Sequence, residues 1–262
     1  MTRVLSGAVL IVFAIAVVWF APPEVFLGVA FVLTIVASHE LIELACAGGL
    51  NVPSLPSQLA AVLTLAATSM SAPTWALTVT LLAAFLAMAF VTLGSWRGGP
   101  DALATVSASM LPSMYLALPI AALVAIRVHG GPASLSLLML TVIVSDSAQY
   151  YSGRAFGHRL LAPAISPKKT VEGATGGFVF GALTLAVAGH WWLPGVPVSA
   201  RAALGLAIVA LGIAGDLFES MLKRSAGVKD SSSLIPGHGG ILDRIDALLF
   251  AAPVYYIVLN YL

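Results

Sequence analysis

The run from Ser220 to Asp246 sets four cations, three carboxylates and a histidine in a chain that otherwise avoids charge. Just before and within it, Asp216, Glu219, Ser220 and Lys223 stand at i, i+3, i+4 and i+7, so on a helix they stack along one face. Asp243 and Asp246 stand one helical turn apart in the same way. Two helix ends thus present carboxylates. Hard divalent cations such as Mg²⁺ take carboxylate oxygens, usually one or two from the protein, and leave the remaining positions to water and phosphate. Asp216 and Asp243 suit that role. The alternative is a structural ion-pair network, Asp216 with Lys223 or Asp243 with Arg244.

Between the two helix ends lies Pro236-Gly237-His238-Gly239-Gly240, leading directly into the helix that carries Asp243. A glycine-rich turn before a helix N-terminus can offer backbone N–H groups to an anion. Such turns are common, and this one gains weight from its basic neighbours Lys223, Arg224, Lys229 and Arg244. His238 could ligate a metal, move a proton or serve only as a hydrogen-bonding loop residue. A second basic segment repeats the theme: Ser145-Asp146 end one apolar run, and Ser166-Pro-Lys168-Lys169-Thr-Val-Glu-Gly173 leads into the next. Lys168, Lys169 and Arg154 fit either nucleotide phosphates or the usual excess of cations beside a membrane, and Arg159 fits the latter.

These residues need a scaffold, and composition says which kind. Hydrophobic residues make up 60% and charged residues 9%, with a mean hydropathy of +1.01, against about 25% charged in an ordinary soluble domain. No charge occurs from Leu44 to Trp96. The runs are apolar on all faces, which excludes the alternating pattern of a barrel and predicts an all-α, polytopic integral membrane protein. In that setting a charge within a helix costs at least ~2.5 kcal/mol on insertion scales, so the carboxylates above are functional candidates. By the same argument His39, Glu40 and Glu43 have either a functional role or one in packing and headgroup contact. Cys46, the single cysteine, excludes an intrachain disulfide and reads as a small buried hydrophobe. The formal net charge of +1 says little about partners, and nucleic acid is not expected among them.

Apolar runs predict nine spans near 4–20, 25–45, 57–71, 74–94, 102–126, 133–151, 173–192, 201–223 and 241–261, with Pro112 and Pro119 able to kink or split the fifth. The basic loops 152–172 and 224–240 are two spans apart and must share a side, the cytoplasm by the positive-inside tendency, which leaves the N-terminus inside. Residues 146–246 hold 16 of the 23 charged side chains and all four lysines. Residues 1–132 are therefore expected to be scaffold helices and 133–262 the catalytic region.

The run Ser220-x-x-Lys-Arg, Lys229-Asp-x₅-Pro-Gly-His-Gly-Gly240, x-x-Asp243-Arg-x-Asp246 resembles the signature of the phosphatidate cytidylyltransferases, or CDP-diacylglycerol synthases. Ser145-Asp146, Ser166 to Thr170 with Glu172-Gly173, and Gly215-Asp216 with Glu219 resemble further segments of that family, so the likeness covers about residues 140–250. It implies attack of the phosphate of phosphatidic acid on the α-phosphorus of CTP, giving CDP-diacylglycerol and pyrophosphate, in a bacterial inner membrane with the active site facing the cytoplasm. It also implies Mg²⁺, with a monovalent cation such as K⁺ beside it, and a homodimer. Asp216 and Asp243 match the metal-binding aspartates and Asp246 a supporting carboxylate, with Lys223 completing the catalytic set. The resemblance assigns substrate contacts to Asp146, Ser166, Lys168, Lys169, Thr170, Glu172, Arg224, Lys229, Gly237, His238, Gly239, Gly240 and Arg244. The chain departs from the commoner pattern at Ser147-Ala-Gln-Tyr150 and at His158, which leaves the roles of Gln149 and His158 open.

Such a reaction needs little covalent help from protein and much electrostatic stabilisation. The rival readings are a CTP-dependent polyprenol kinase, a cytidylyltransferase of an isoprenoid ether lipid and, from another class, a secondary transporter. A transporter would place its charges at the midplane between paired interrupted helices, whereas these cluster toward one expected membrane face.

Overall fold

The computed structural model describes residues 2–70 and 72–261, with side chains from residue 6 to 260 except Ser71, the last residue of the third expected span. Among the described residues each expected apolar run coincides with a helix: α1 (Thr2–Phe20), α2 (Pro23–Ala47), α3 (Ser54–Ser69), α4 (Ala76–Ser95), the rod formed by α5 (Ala102–Leu111) and α6 (Leu118–His129), α7 (Gly131–Phe156), α8 (Val171–Trp192), α9 (Val198–Ser225) and α10 (Leu242–Tyr261). Six of them, α2, α4, the α5–α6 rod, α7, α8 and α9, are long and apolar enough to cross a membrane. The rod is not split at its prolines. Pro112 has no N–H to give and crowds the carbonyl of the preceding turn, and there the helix widens into a π-helical stretch, Pro112–Ala117.

The segment 152–172, expected as a loop, is ordered. α7 continues to Phe156, and β1 (Leu160–Ala162) pairs antiparallel with β2 (Ser166–Thr170), Leu160 facing Thr170 and Ala162 facing Ser166. Strands this short carry no alternation long enough to read from sequence.

The helices pack as two compact units whose division does not follow chain order, one comprising Met1–Val124 with Leu222–Arg244 and the other Ala125–Met221 with Ile245–Leu262. In the first unit α3 lies against α2, α4 and the π-helical turn. Its contact face is built of small residues, Ser57, Ala60, Ala61 and Thr64, which let the helices approach closely. Ala60, Ala84 and Met88 form a core there, with Met110 packed on it. Three buried hydroxyls are satisfied within their own helices: Thr34, Thr64 and Ser109 donate to carbonyls four residues back at 2.9, 2.7 and 2.7 Å.

In the second unit α7 and α8 run against each other along most of their length. Glycines on α8 permit it, since a Cβ at Gly173 would lie 2.7 Å from the Gln149 carbonyl oxygen and one at Gly177 would lie 2.6 Å from the Gln149 side chain. Val209 and Ile213 of α9 pack with Ala174 of α8. Tyr255 of α10, fully buried, donates its hydroxyl to the Ser134 carbonyl of α7 at 3.1 Å.

Gly177→Val puts a branched side chain where no Cβ fits, and overpacking of this kind costs about 1–3 kcal/mol. It should lower the thermal unfolding midpoint in detergent, whereas Gly28→Ala, which meets nothing within 4 Å on a helix that favours alanine, should not lower it.

Candidate active site

The second unit gathers a carboxylate pair around one lysine. Strand β2 turns successive side chains to opposite faces, which separates two lysines the sequence treats alike. Lys168 is exposed, while Lys169 turns inward and its Nζ meets Asp216 Oδ2 of α9 at 2.5 Å. Ser220, one turn further along α9, donates to Asp216 Oδ1 at 3.3 Å. Asp146 of α7 lies within electrostatic range of both Asp216 and Lys169. Gln149 donates to Asp146 Oδ1 at 3.0 Å and to the Ser145 hydroxyl at 3.2 Å, so this departure from the family pattern orients Asp146.

The hairpin that delivers Lys169 is tied at its base. Glu172 Oε2 accepts the backbone N–H of His158 at 3.0 Å and of Arg159 at 3.2 Å, and Val171 N–H donates to the Arg159 carbonyl at 2.8 Å. Thr170 caps α8, its hydroxyl accepting Gly173 N–H at 3.1 Å. Thr170, Glu172 and the His158 backbone therefore shape the hairpin that carries the lysines, and Ser166 pairs across it. Asp246, in the same unit, accepts Ala247 N–H at 2.8 Å. Gly215 lets α9 pass close by it, since a Cβ there would lie 2.6 Å from the Asp246 carbonyl oxygen.

The first unit holds the second cluster. Lys223 Nζ meets Asp243 Oδ1 at 2.5 Å with side chains only 10% and 6% exposed. Asp243 Oδ2 accepts three further hydrogens, from Ser231 N–H at 2.9 Å, Ser231 Oγ at 2.8 Å and Gly240 N–H at 2.8 Å. The Pro236–Gly240 turn is held by Ile235 N–H to the Gly239 carbonyl at 2.8 Å and His238 N–H to the Ile235 carbonyl at 2.9 Å. Gly239 has φ of 77°, and a Cβ there would lie 2.5 Å from Asp243 Oδ2, so both backbone and space require glycine. His238 Nδ1 is 2.9 Å from Ser6 Oγ. Arg224 donates to the Val228 carbonyl at 2.9 Å, while Lys229 and Arg244 are exposed.

Two lysine–aspartate pairs and a glycine turn with basic residues around it are parts suited to polyphosphate. The sequence profile of the cytidylyltransferase family matches residues 1–262. The chain belongs to that family.

A phosphatidate cytidylyltransferase of Mycobacterium bovis is 34% identical over 266 residues, covering 95% of this chain and 84% of that relative. The phosphatidate cytidylyltransferases of Haemophilus influenzae and Aquifex aeolicus are 49% and 42% identical over 123 and 125 residues, which is 45% and 48% of this chain. Those two matches span 42% and 46% of the relatives' own length, under half in each case.

Within this family member, two residues that the resemblance assigned no role join the second cluster. Ser231 bonds to Asp243, and Glu40 of α2, only 2% exposed, reaches the same loop. An intramembrane carboxylate was the one signal for Glu40; nothing marked Ser231. His39 and Glu43 pair with each other at 3.2 Å.

Removing one member of a buried ion pair leaves the other charge uncompensated, at a cost of about 3–5 kcal/mol. Lys223→Ala should therefore lower the thermal midpoint well beyond Lys168→Ala, whose side chain is exposed and makes no such pair.

Proposed function

We propose that the protein is a phosphatidate cytidylyltransferase, transferring CMP from CTP to phosphatidic acid. The observation that carries this reading is the family match along the whole chain, and the relatives named for that activity support it. In the reaction a phosphate oxygen of phosphatidic acid bonds to the α-phosphorus of CTP as the bond to the β-phosphate oxygen breaks, and pyrophosphate leaves. The acceptor is already an anion, so no base is required. The difficulty lies in charge: two anionic substrates must meet and a highly charged leaving group must depart.

Lysines held in place by carboxylates answer that difficulty. Lys169, fixed on its strand and oriented by Asp216, would offer its ammonium to CTP phosphates without the entropy cost of ordering a free side chain. Lys223, anchored to Asp243, would do the same beside the glycine turn. Exposed Lys168, Arg224, Lys229 and Arg244 supply positive charge for the approach of CTP.

The residues present also fit Mg²⁺. Among the described residues no three His, Cys, Asp or Glu side chains gather into a cage, but Mg²⁺ ordinarily takes one or two carboxylates and keeps water and phosphate for the rest. Asp216 with Asp146 is such a pair, sharing one lysine between two negative charges. Asp243 and Asp246 are the other acidic residues proposed for this role. When bound, the ion would supply Lewis-acid neutralisation of phosphate oxygens.

We further propose an inner-membrane location with both basic segments toward the cytoplasm, where CTP arrives from water while acyl chains stay in lipid. The positive-inside tendency and the six membrane-length helices support it.

With CTP labelled on the α-phosphate, purified protein should move label into phosphatidic acid and release pyrophosphate in a Mg²⁺-dependent way, and Asp216→Asn should abolish transfer. No label in lipid would overturn the reading, and transfer to a polyprenol or ether lipid instead would change the acceptor. Lys169→Ala should lower kcat/KM for CTP by about 10- to 100-fold, the scale of one charged hydrogen bond. Lys168→Ala should lower it by severalfold at most.

A further inference from the structure

Glu40 is a buried carboxylate to which none of the catalytic roles above is given. It lies on α2, yet every hydrogen bond of its side chain goes to the segment Ser231–Leu242. Its Oε1 accepts from Ser232 Oγ at 2.7 Å and Ile241 N–H at 3.0 Å. Its Oε2 accepts from Leu242 N–H at 2.8 Å and lies 3.1 Å from Ser231 Oγ, whose single hydrogen it shares with Asp243 Oδ2. A carboxylate has about four lone-pair sites; here three take a full donor and the fourth faces the shared Ser231 hydroxyl. The donors come from both ends of the segment that contains the Pro236–Gly240 turn, so one side chain closes that loop.

Three features show that this is a built arrangement. Leu242 is the first residue of α10, and the first N–H groups of a helix have no partner within it. Glu40 takes two N–H groups at that terminus and Asp243 takes Gly240 N–H, so two carboxylates cap α10 where its dipole favours negative charge. Gly240 is also required by space, because a Cβ there would run into Ser231 Oγ and both Glu40 oxygens. Finally, Ser231 Oγ stands between Glu40 Oε2 and Asp243 Oδ2, which links the α2 carboxylate to the Lys223–Asp243 pair through one hydroxyl. The N–H groups at 240–242 that a glycine-rich turn was expected to offer to phosphate are thus given to carboxylates in this conformation.

We propose that Glu40 is a positioning residue: it clasps the two ends of the Ser231–Leu242 loop and thereby sets Asp243, Lys223 and the glycine turn for the transfer reaction. The proposal rests on the reading of the chain as a phosphatidate cytidylyltransferase, and it deepens that reading by assigning work to an N-terminal helix. Glutamine in place of Glu40 keeps the shape but presents an NH₂ group where an oxygen stood. One hydroxyl can turn to accept from it; the backbone N–H on that side cannot.

The test compares wild type with Glu40→Gln and Glu40→Ala in one detergent, by amide hydrogen exchange and by steady-state transfer of α-labelled CMP from CTP to phosphatidic acid. Expected for Glu40→Gln is exchange at 231–242 faster by about tenfold or more, with the rest of the chain unchanged. Its kcat should fall by about 10- to 100-fold with KM for CTP moved much less. Glu40→Ala should do the same or worse, and if it does not fold, Glu40→Gln decides. Unchanged exchange at 231–242 overturns the clasp whatever the activity. Faster exchange across the whole chain, with kcat per folded molecule intact, overturns positioning in favour of a purely structural role. A wild type that transfers no label overturns the proposed function instead, and the exchange data then still judge the clasp.

Discussion

A carboxylate removed from water has to be met by donors or by a cation, and in an apolar chain there are few of either to spare. Asp243 shows what that constraint demands. At 6% side-chain exposure it takes Lys223 on one oxygen and three donors from Ser231 and Gly240 on the other. An ionised carboxylate left unpaired at such a place would be costly by several kcal/mol. The surrounding chain is arranged accordingly: Gly239 and Gly240 have no side chain because the carboxylates occupy that space, and the last turn of α9 carries the lysine that Asp243 needs. Much of the residue pattern that resembles a phosphate-binding turn is therefore dictated by the requirement to satisfy buried acids.

The same reasoning explains Lys169. A lysine beside Asp216 and Asp146 is held by two negative charges, and the strand that carries it is fixed by Glu172 and Thr170, residues that bond to backbone at the hairpin's base. Close approach of α7 and α8 through glycine gives that hairpin a firm base. Ion pairs of this kind contribute little to net stability after desolvation. Their value for the proposed transfer reaction is that the charges stand oriented before substrate arrives.

Where the sequence and the structure agree, the signal is one that a single helix carries. Each apolar run coincides with a helix, in which a backbone away from water bonds to itself, and the stacking of Ser220 on Asp216 along α9 followed from their spacing alone. The hairpin within the 152–172 connection went unread because a strand pair of three and five residues is made by pairing across the turn, which no local pattern records. The difference between Lys168 and Lys169 depends on which side of that strand faces inward.

Composition, helix positions and the signature residues were thus determined by the sequence, since hydropathy and helical periodicity are properties of neighbours along the chain. Only the tertiary structure decided that Glu40 belongs with Ser231, Ser232 and the start of α10. Some two hundred residues separate those partners. Their pairing arises because buried donors and acceptors must find one another wherever packing brings them, and sequence separation plays no part in that requirement.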